Sequence, residues 1–408
     1  MPGPLDGLTM IEATNWGMGP IGGLMLGDLG ADIIKIESPT RPDAARHVTD
    51  VAGINNLMPD GRSAAFESFN RNKRSLAIDL KHDKGREIFK SLIKDADIFL
   101  ENYRPGAFDK MGLGYDVLSK INPALIYAST SGYGFQGEEA NKPALDAVGQ
   151  ARSGFMYSGG APGDPPNWNT LAVADVMGAT CVAYGVLAAV VHRERNGGKG
   201  QKVEVSHINA NMWLAYWGVA VSMMMGLDEW PRFDRKRAGN PLWNLYGCAN
   251  DEWIMLGIID STRHWPEFCE VVELAELVDD PRFDTMEHRN DNREELVRLL
   301  DARFAKLSVD EWSARFDRRP DLIYSRIQRF RDLPNDPAVI ANQYLIDYQH
   351  RHYGPIKVLD HPVHFSESPA SIRRDAPELG EHSADVLKER LGLSDEQIAE
   401  LVIDGVIS

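Results

Sequence analysis

From Leu8 to Ser206 the apolar positions fall in short blocks that alternate between a period of two and a period near 3.6. Leu8 to Ala13 predicts a strand, Gly17-Met18-Gly19-Pro20-Ile21-Gly22 a turn into a helix, and Ala31 to Glu37 the next strand, which together make one βαβ unit. Further strands are predicted over Leu76 to Leu80, from Asn122-Pro123 to Ser129 with the loop Gly132-Tyr133-Gly134 after it, and over Gln201 to Ser206. Strands alternating with amphipathic helices predict an α/β fold on a parallel, doubly wound sheet. One run stands apart. Val176 to Val191 is apolar on every side and carries Gly178, Ala179, Ala183, Gly185, Ala188 and Ala189, small residues that permit close packing. It predicts a buried helix with a single carboxylate, Asp175, at its mouth.

Past that helix, residues 207 to 225 predict an apolar helix with Trp213, Tyr216 and Trp217, which suits a linker, a core element or an interface. The stretch from 226 to about 340 is richer in charge. It predicts strands over Leu242 to Cys248 and Glu252 to Ile258 and helices around 263 to 273 and 291 to 306, a smaller α+β domain. There is no internal repeat or low-complexity tract.

Composition removes several classes of function. A chain of 408 residues with 43% hydrophobic content supports about two domains. A net charge of −16 opposes general affinity for nucleic acid. The three cysteines, Cys181, Cys248 and Cys269, have no paired spacing, so neither a disulfide framework nor a zinc site is expected and a reduced cytosol is the natural setting. MPGPLDGL lacks the charged start and apolar core of an export signal. The apolar run after Asp175 holds 16 residues before His192, short of the ~20 a membrane span needs. It is expected to be a core helix.

Asp175 has two readings from sequence: an N-cap, for which Asp is well suited, or a reacting group. The segment GMGPIG with Glu37 also fits the dinucleotide fingerprint G-x-G-x-x-G, although tight turning and close helix packing need the same glycines. The flanks of Asp175 bear on both questions. The small-residue helix is followed by Arg195, the glycine turn Asn196-Gly197-Gly198-Lys199-Gly200 and then Gln201-Lys202-Val203-Glu204-Val205-Ser206. With Gly19-Pro20 through LGDLGADIIKIESP, Phe69-Asn70-Arg71-Asn72-Lys73-Arg74-Ser75, Ala96-Asp97 through Glu101-Asn102 to Pro105-Gly106, and Ala376-Pro377-Glu378-Leu379-Gly380-Glu381-His382, this pattern resembles the class III coenzyme A transferases, the CaiB/BaiF family.

The resemblance implies a Rossmann-like large domain built from both chain ends, here 1 to 205 and 341 to 408, with residues 206 to 225 as linker helix and 226 to 340 as small domain. It also implies an interlocked homodimer, and the cysteine pattern and the short apolar run make a cytoplasmic protein with no membrane partner the expectation. No cofactor is expected to be tightly bound and no metal is expected; a coenzyme A thioester is the substrate. Asp175 is implied as the nucleophile. A coenzyme A site wants cations and backbone amides at loop ends, and Gly17, Met18, Arg41, Asn72, Lys73, Arg74, Asn102, Tyr103, Lys110 and Tyr133 are its candidates. Backbone amides around Gly17 to Gly19 are the expected oxyanion donors.

Departures from family members shape the substrate expectation. Formyl-CoA type transferases carry glutamine where this chain has Gly17 and a glycine run where it has Arg237-Ala238-Gly239-Asn240-Pro241, so oxalate and formate are disfavoured. Trp16, Met18, Phe155, Met156 and Trp168 are expected to converge on an acyl pocket, and NPLWNLYGCANDEW and NDPAVIANQYL look like the transferases of aryl-lactates and 2-hydroxy acids. Two alternatives stand beside the transferase. One is an α-methylacyl-CoA racemase of the same fold, which places a histidine where this chain has Leu145. The other is a non-catalytic acyl-CoA binding protein.

Overall fold

Six short strands carry the site, and the first five are buried along their whole length but for Asp32, with helices on both faces of the sheet. The structure is a computed structural model describing residues 2–408. In chain order the strands are β1 (Thr9–Ala13), β2 (Asp32–Glu37), β3 (Lys73–Ala77), β4 (Ile98–Glu101), β5 (Ile126–Ser131) and β6 (Lys202–Ser206). All pair in parallel, in the spatial order β3-β2-β1-β4-β5-β6. Ile11, Ile34, Leu76, Phe99 and Tyr127 face one layer of helices, while Met10, Ile33, Ile98 and Ile126 face the other. The strand order reverses between β1 and β4, so the loops leaving their carboxyl ends diverge and open a crevice, the usual ligand position in such sheets.

Two helices form the layer over Met10 and Ile33. They are α1 (Met18–Asp28) and α2 (Val173–Arg195). Their contact depends on missing side chains: a Cβ on Gly22 would meet Val182 at 3.0 Å, and one on Gly178 would meet the Met18 sulfur at 2.3 Å. Two expectations for α2 are corrected. It is not buried on every side, since Val176, Thr180, Tyr184, Ala188 and Val191 form an exposed stripe at helical spacing. Nor is it short, because it runs 23 residues and among the described residues is the one helix long and apolar enough to cross a bilayer. The helix takes in Val173 to Asp175 before the apolar run and His192 to Arg195 after it. Packing on α1 and the sheet is what marks it as a core helix.

β3 begins at Lys73, three residues before the predicted Leu76. A strand opening on Lys73-Arg74-Ser75 reads as a loop, but all three are buried against partners. The predicted helix over 207 to 225 is two helices, α3 (His207–Leu214) and α4 (Tyr216–Met225), broken at Ala215. The C-terminal segment returns to the sheet: Ile407 bridges Ile78, and Val386, Leu387, Ile398 and Leu401 join the core behind β3.

The chain divides into two compact units. One comprises Met1–Met156, Trp168–Asp228 and Gln343–Ser408, the other Tyr157–Asn167 and Glu229–Asn342. The sequence reading put 157–167 in the large domain and gave 206–225 a linker of its own. The second unit has a three-stranded sheet built on Leu245–Gly247, Trp253–Leu256 and Tyr324–Arg326, the last of which was not predicted. Its core gathers Trp265, Phe268, Phe304, Trp312 and Phe316.

Candidate active site

The loop Thr14 to Gly17 leaves the carboxyl end of β1, and side chains from neighbouring strand ends grip its backbone residue by residue. Lys35 Nζ donates to the Thr14 carbonyl at 2.9 Å. Asn102, just past β4, accepts from Asn15 N at 2.8 Å and donates to Asn15 O at 2.6 Å, bridging the crevice between β1 and β4. Asp43 Oδ1 accepts from Trp16 N at 3.0 Å. Trp16 has φ +64, a left-handed conformation that costs an aromatic residue energy and persists only where the surroundings impose it.

The anchors of that loop belong to a buried charge network. Lys35 lies 2.9 Å from Asp43 and 3.3 Å from Glu12, all fully buried, and Lys73 reaches Glu12 at 2.9 Å. Glu37 accepts from Arg46 at 2.7 and 2.8 Å. Three cations thus face three carboxylates, so the cluster is neutral. Burial alone would lower Lys35, yet Asp43, Glu12 and Glu37 beside it carry its pKa upward. Burial pushes Lys73 down to about 8 despite Glu12.

Asp175 sits in the first turn of α2. It is not the N-cap. Ala172 holds that position with φ +52, and Asp146 does the capping, its Oδ1 accepting from Ala174 N at 2.7 Å and Asp175 N at 3.1 Å. With the helix amides satisfied from elsewhere, the Asp175 side chain is released to face the loop after β1. Its Oδ1 accepts from Met18 N at 3.2 Å and from His207 Nε2 at 2.7 Å. Its Oδ2 accepts no hydrogen bond among the described residues and lies where a Cβ on Gly17 would be, 2.4 Å away. Gly17 is therefore required for the carboxylate to occupy this place.

His207 was not among the residues expected at the site. It opens α3, whose N-cap Ser206 accepts from Asn209 N. Its ring is buried and its Nδ1 has no partner. Because an ionised carboxylate only accepts, Nε2 is the donor to Asp175. Gly149 makes room for it, since a Cβ there would meet the His207 Cβ at 2.7 Å.

The other candidates separate into two groups. Gly17, Met18, Arg41, Asn102, Tyr103, Lys110 and Tyr133 all follow the carboxyl ends of strands, the side of the crevice. Arg41 and Lys110 are exposed and make no ion pair among the described residues. Tyr103 rests edge-on against Phe108, and Arg152 lies over the Tyr133 ring. Asn72, Lys73 and Arg74 are a correction. They occupy the amino end of β3, the opposite edge of the sheet, and their polar groups are engaged there. Asn72 holds Asp28 and the Ser371 carbonyl, and Lys73 donates to Glu12, Pro20 O and Asn70. Arg74 pairs with Asp32 and Glu389. Met18 packs inward against Gly178 rather than lining an acyl pocket. Two glycines of GMGPIG likewise serve packing, Gly19 against Thr14 and Gly22 against Val182, and Glu37 is held by Arg46.

This arrangement offers one semi-exposed carboxylate with a hydrogen-bonded oxygen and a free one, at the switch point of a parallel sheet. Comparison with known proteins identifies the family. Residues 5–383 match the family described as CoA-transferase family III. The chain is 30% identical over 404 residues to the mouse succinyl-CoA:glutarate CoA-transferase, covering 99% of this chain and 90% of that protein. It is 31% identical over 397 residues to the (R)-2-hydroxy-4-methylpentanoate CoA-transferase of Clostridioides difficile, covering 97% of each. The crystal structure of a CaiB/BaiF family protein from Brucella suis superposes with a TM-score of 0.84 at 28% identity, over 96% of this chain and 100% of that one. The family match runs through both units and back into the large one, and the chain belongs to CoA-transferase family III.

Proposed function

We propose that this enzyme moves coenzyme A from an acyl-CoA donor to a free carboxylic acid, with Asp175 as the covalent relay. The observation that carries the reading is the Asp175 carboxylate, freed from capping by Asp146 and presented with Oδ2 unpaired at the switch-point crevice. Oδ2 attacks the donor thioester carbon, the C–S bond breaks, and the thiolate leaves an aspartyl anhydride. The thiolate then attacks Asp175 Cγ, expelling the donor acid and forming the aspartyl thioester. The acceptor carboxylate attacks that carbon, and the returning thiolate takes the acceptor acyl group and frees Asp175. Gly17, Met18, Asn102 and Tyr103 frame the reacting end, and Arg41, Lys110 and Tyr133 are placed on the right edge of the sheet for the nucleotide and phosphates.

A larger, aromatic or 2-hydroxy acid is the proposed acceptor. The Clostridioides difficile relative, named for a 2-hydroxy acid, supports it, although the relative named for glutarate is about equally similar. We place the enzyme in the cytosol as an interlocked homodimer. The exposed stripe of α2 and the exposed Trp213, Tyr216, Met223 and Met224 of α3 and α4 supply apolar surface for a second chain.

The racemase alternative fares worse. Epimerising an α-carbon takes two bases on opposite faces. Leu145 carries no base, and His207 is bonded to Asp175 itself, so the two cannot flank one carbon. The test is a panel of acyl-CoA donors, succinyl-CoA included, against glutarate, aryl-lactates and 2-hydroxy-4-methylpentanoate, with new thioesters followed by mass. Transfer that disappears in Asp175→Asn supports the proposal. Solvent deuterium entering a 2-methylacyl-CoA without any transfer would replace it with the racemase.

A further inference from the structure

The two oxygens of Asp175 are not equivalent, and the difference has a chemical consequence. Oδ2 is the unpaired oxygen and the one placed to attack. Oδ1, held by Met18 N at 3.2 Å and His207 Nε2 at 2.7 Å, remains as the carbonyl oxygen of whatever acyl group Asp175 then carries. Each time an external nucleophile adds to Asp175 Cγ, the electron pair of that carbonyl moves onto Oδ1. It returns when the leaving group departs, as a carboxylate in one step and as a thiolate in the other. Stabilising donors must be aimed at this oxygen before the reaction begins.

We propose that His207 is a catalytic residue of this enzyme: its Nε2–H, together with the Met18 amide, forms the oxyanion site for attack on the aspartyl anhydride and the aspartyl thioester. This rests on Asp175 being the covalent relay. The site is built for the contact. Ser206 caps the helix that His207 opens, Asn211 of the same helix donates to Ser153 at 2.6 Å, and Gly149 clears the space that the His207 Cβ fills. Nδ1 is buried without a partner, so the one hydrogen bond the ring makes is the one from Nε2 to Asp175. A hydrogen-bond donor serves here, because it stabilises the developing charge on Oδ1 without giving up its proton.

The experiment compares wild type with His207→Leu, which removes the donor, and His207→Gln, which keeps one on a side chain of different shape. It uses a donor and acceptor that wild type turns over. Steady-state kcat, the dissociation constant of coenzyme A and the thermal midpoint are measured for each. The proposal expects kcat of the leucine variant to fall about 10²- to 10³-fold, coenzyme A binding within twofold of wild type, and at least tenfold recovery of kcat in the glutamine variant. Leucine within threefold of wild type, or glutamine no better than leucine in a folded protein, overturns it. Absence of any Asp175 adduct in wild type would instead overturn the covalent relay, so the two failures are told apart.

Discussion

At the scale of single residues, the reactive geometry rests on an exchange of roles between two aspartates. Asp146 caps the helix that Asp175 would otherwise cap, so Asp146→Ala should cost about 1 to 2 kcal/mol by urea denaturation and lower kcat as Asp175 turns back to the orphan amides. A stability loss with unchanged kcat would show that Asp175 is held in place by other contacts. Gly17→Ala places a methyl 2.4 Å from Asp175 Oδ2. That variant should lose most transferase activity while unfolding within a few degrees of wild type, and full activity would mean the carboxylate reacts from another position. Asp175 was legible in sequence because its surroundings are so uniformly apolar. Asp146 was not, because the capping contact spans 29 residues. His207 was passed over as the polar first residue of an apolar helix, and only the fold brings it to Asp175 across 32 residues.

At the scale of elements, the loop after β1 is rigid because three side chains from other strand ends hold it. Asp43 serves both the loop and the fully buried Lys35, so Asp43→Asn removes a buried counter-charge. A loss of about 3 to 5 kcal/mol is expected by urea denaturation, and a loss under 1 would mean Glu12 alone suffices. Glu101, at the end of β4, is buried and pushed up to about 7 from its ordinary 4.5, although Ser129 and the Tyr103 amide bond it. Between those values the unfolded chain ionises while the folded one keeps its proton, so stability falls as pH rises from 4.5 to 7 and levels above. Relative to wild type, Glu101→Gln should gain on the order of 3 kcal/mol over that window, and parallel pH–stability curves would contradict the assignment. Strands with apolar cores such as β1 and β2 were readable from their period. The start of β3 was not, since Lys73, Arg74 and Ser75 are polar residues buried by pairing, and the period carries no information about partners.

At the scale of the whole molecule, the large unit closes only when the C-terminal segment returns to β3, an organisation that no local pattern reveals and that came from resemblance. The segment 157–167 was misplaced because its glycines and prolines mark a loop without saying which core it joins. Exposed apolar surface on α2 and α4 predicts a dimer of about twice 45.4 kDa by light scattering; a monomer at micromolar concentration would contradict that part of the proposal. The central claim concerns Asp175, and one measurement meets it directly. The protein is mixed with each acyl-CoA donor, trapped with hydroxylamine and mapped by intact and peptide mass spectrometry, with Asp175→Asn alongside. A modification on the peptide holding Asp175, present in wild type and absent in the variant, is the predicted result. Turnover with no adduct at Asp175, or an equal adduct in the variant, would contradict the covalent relay.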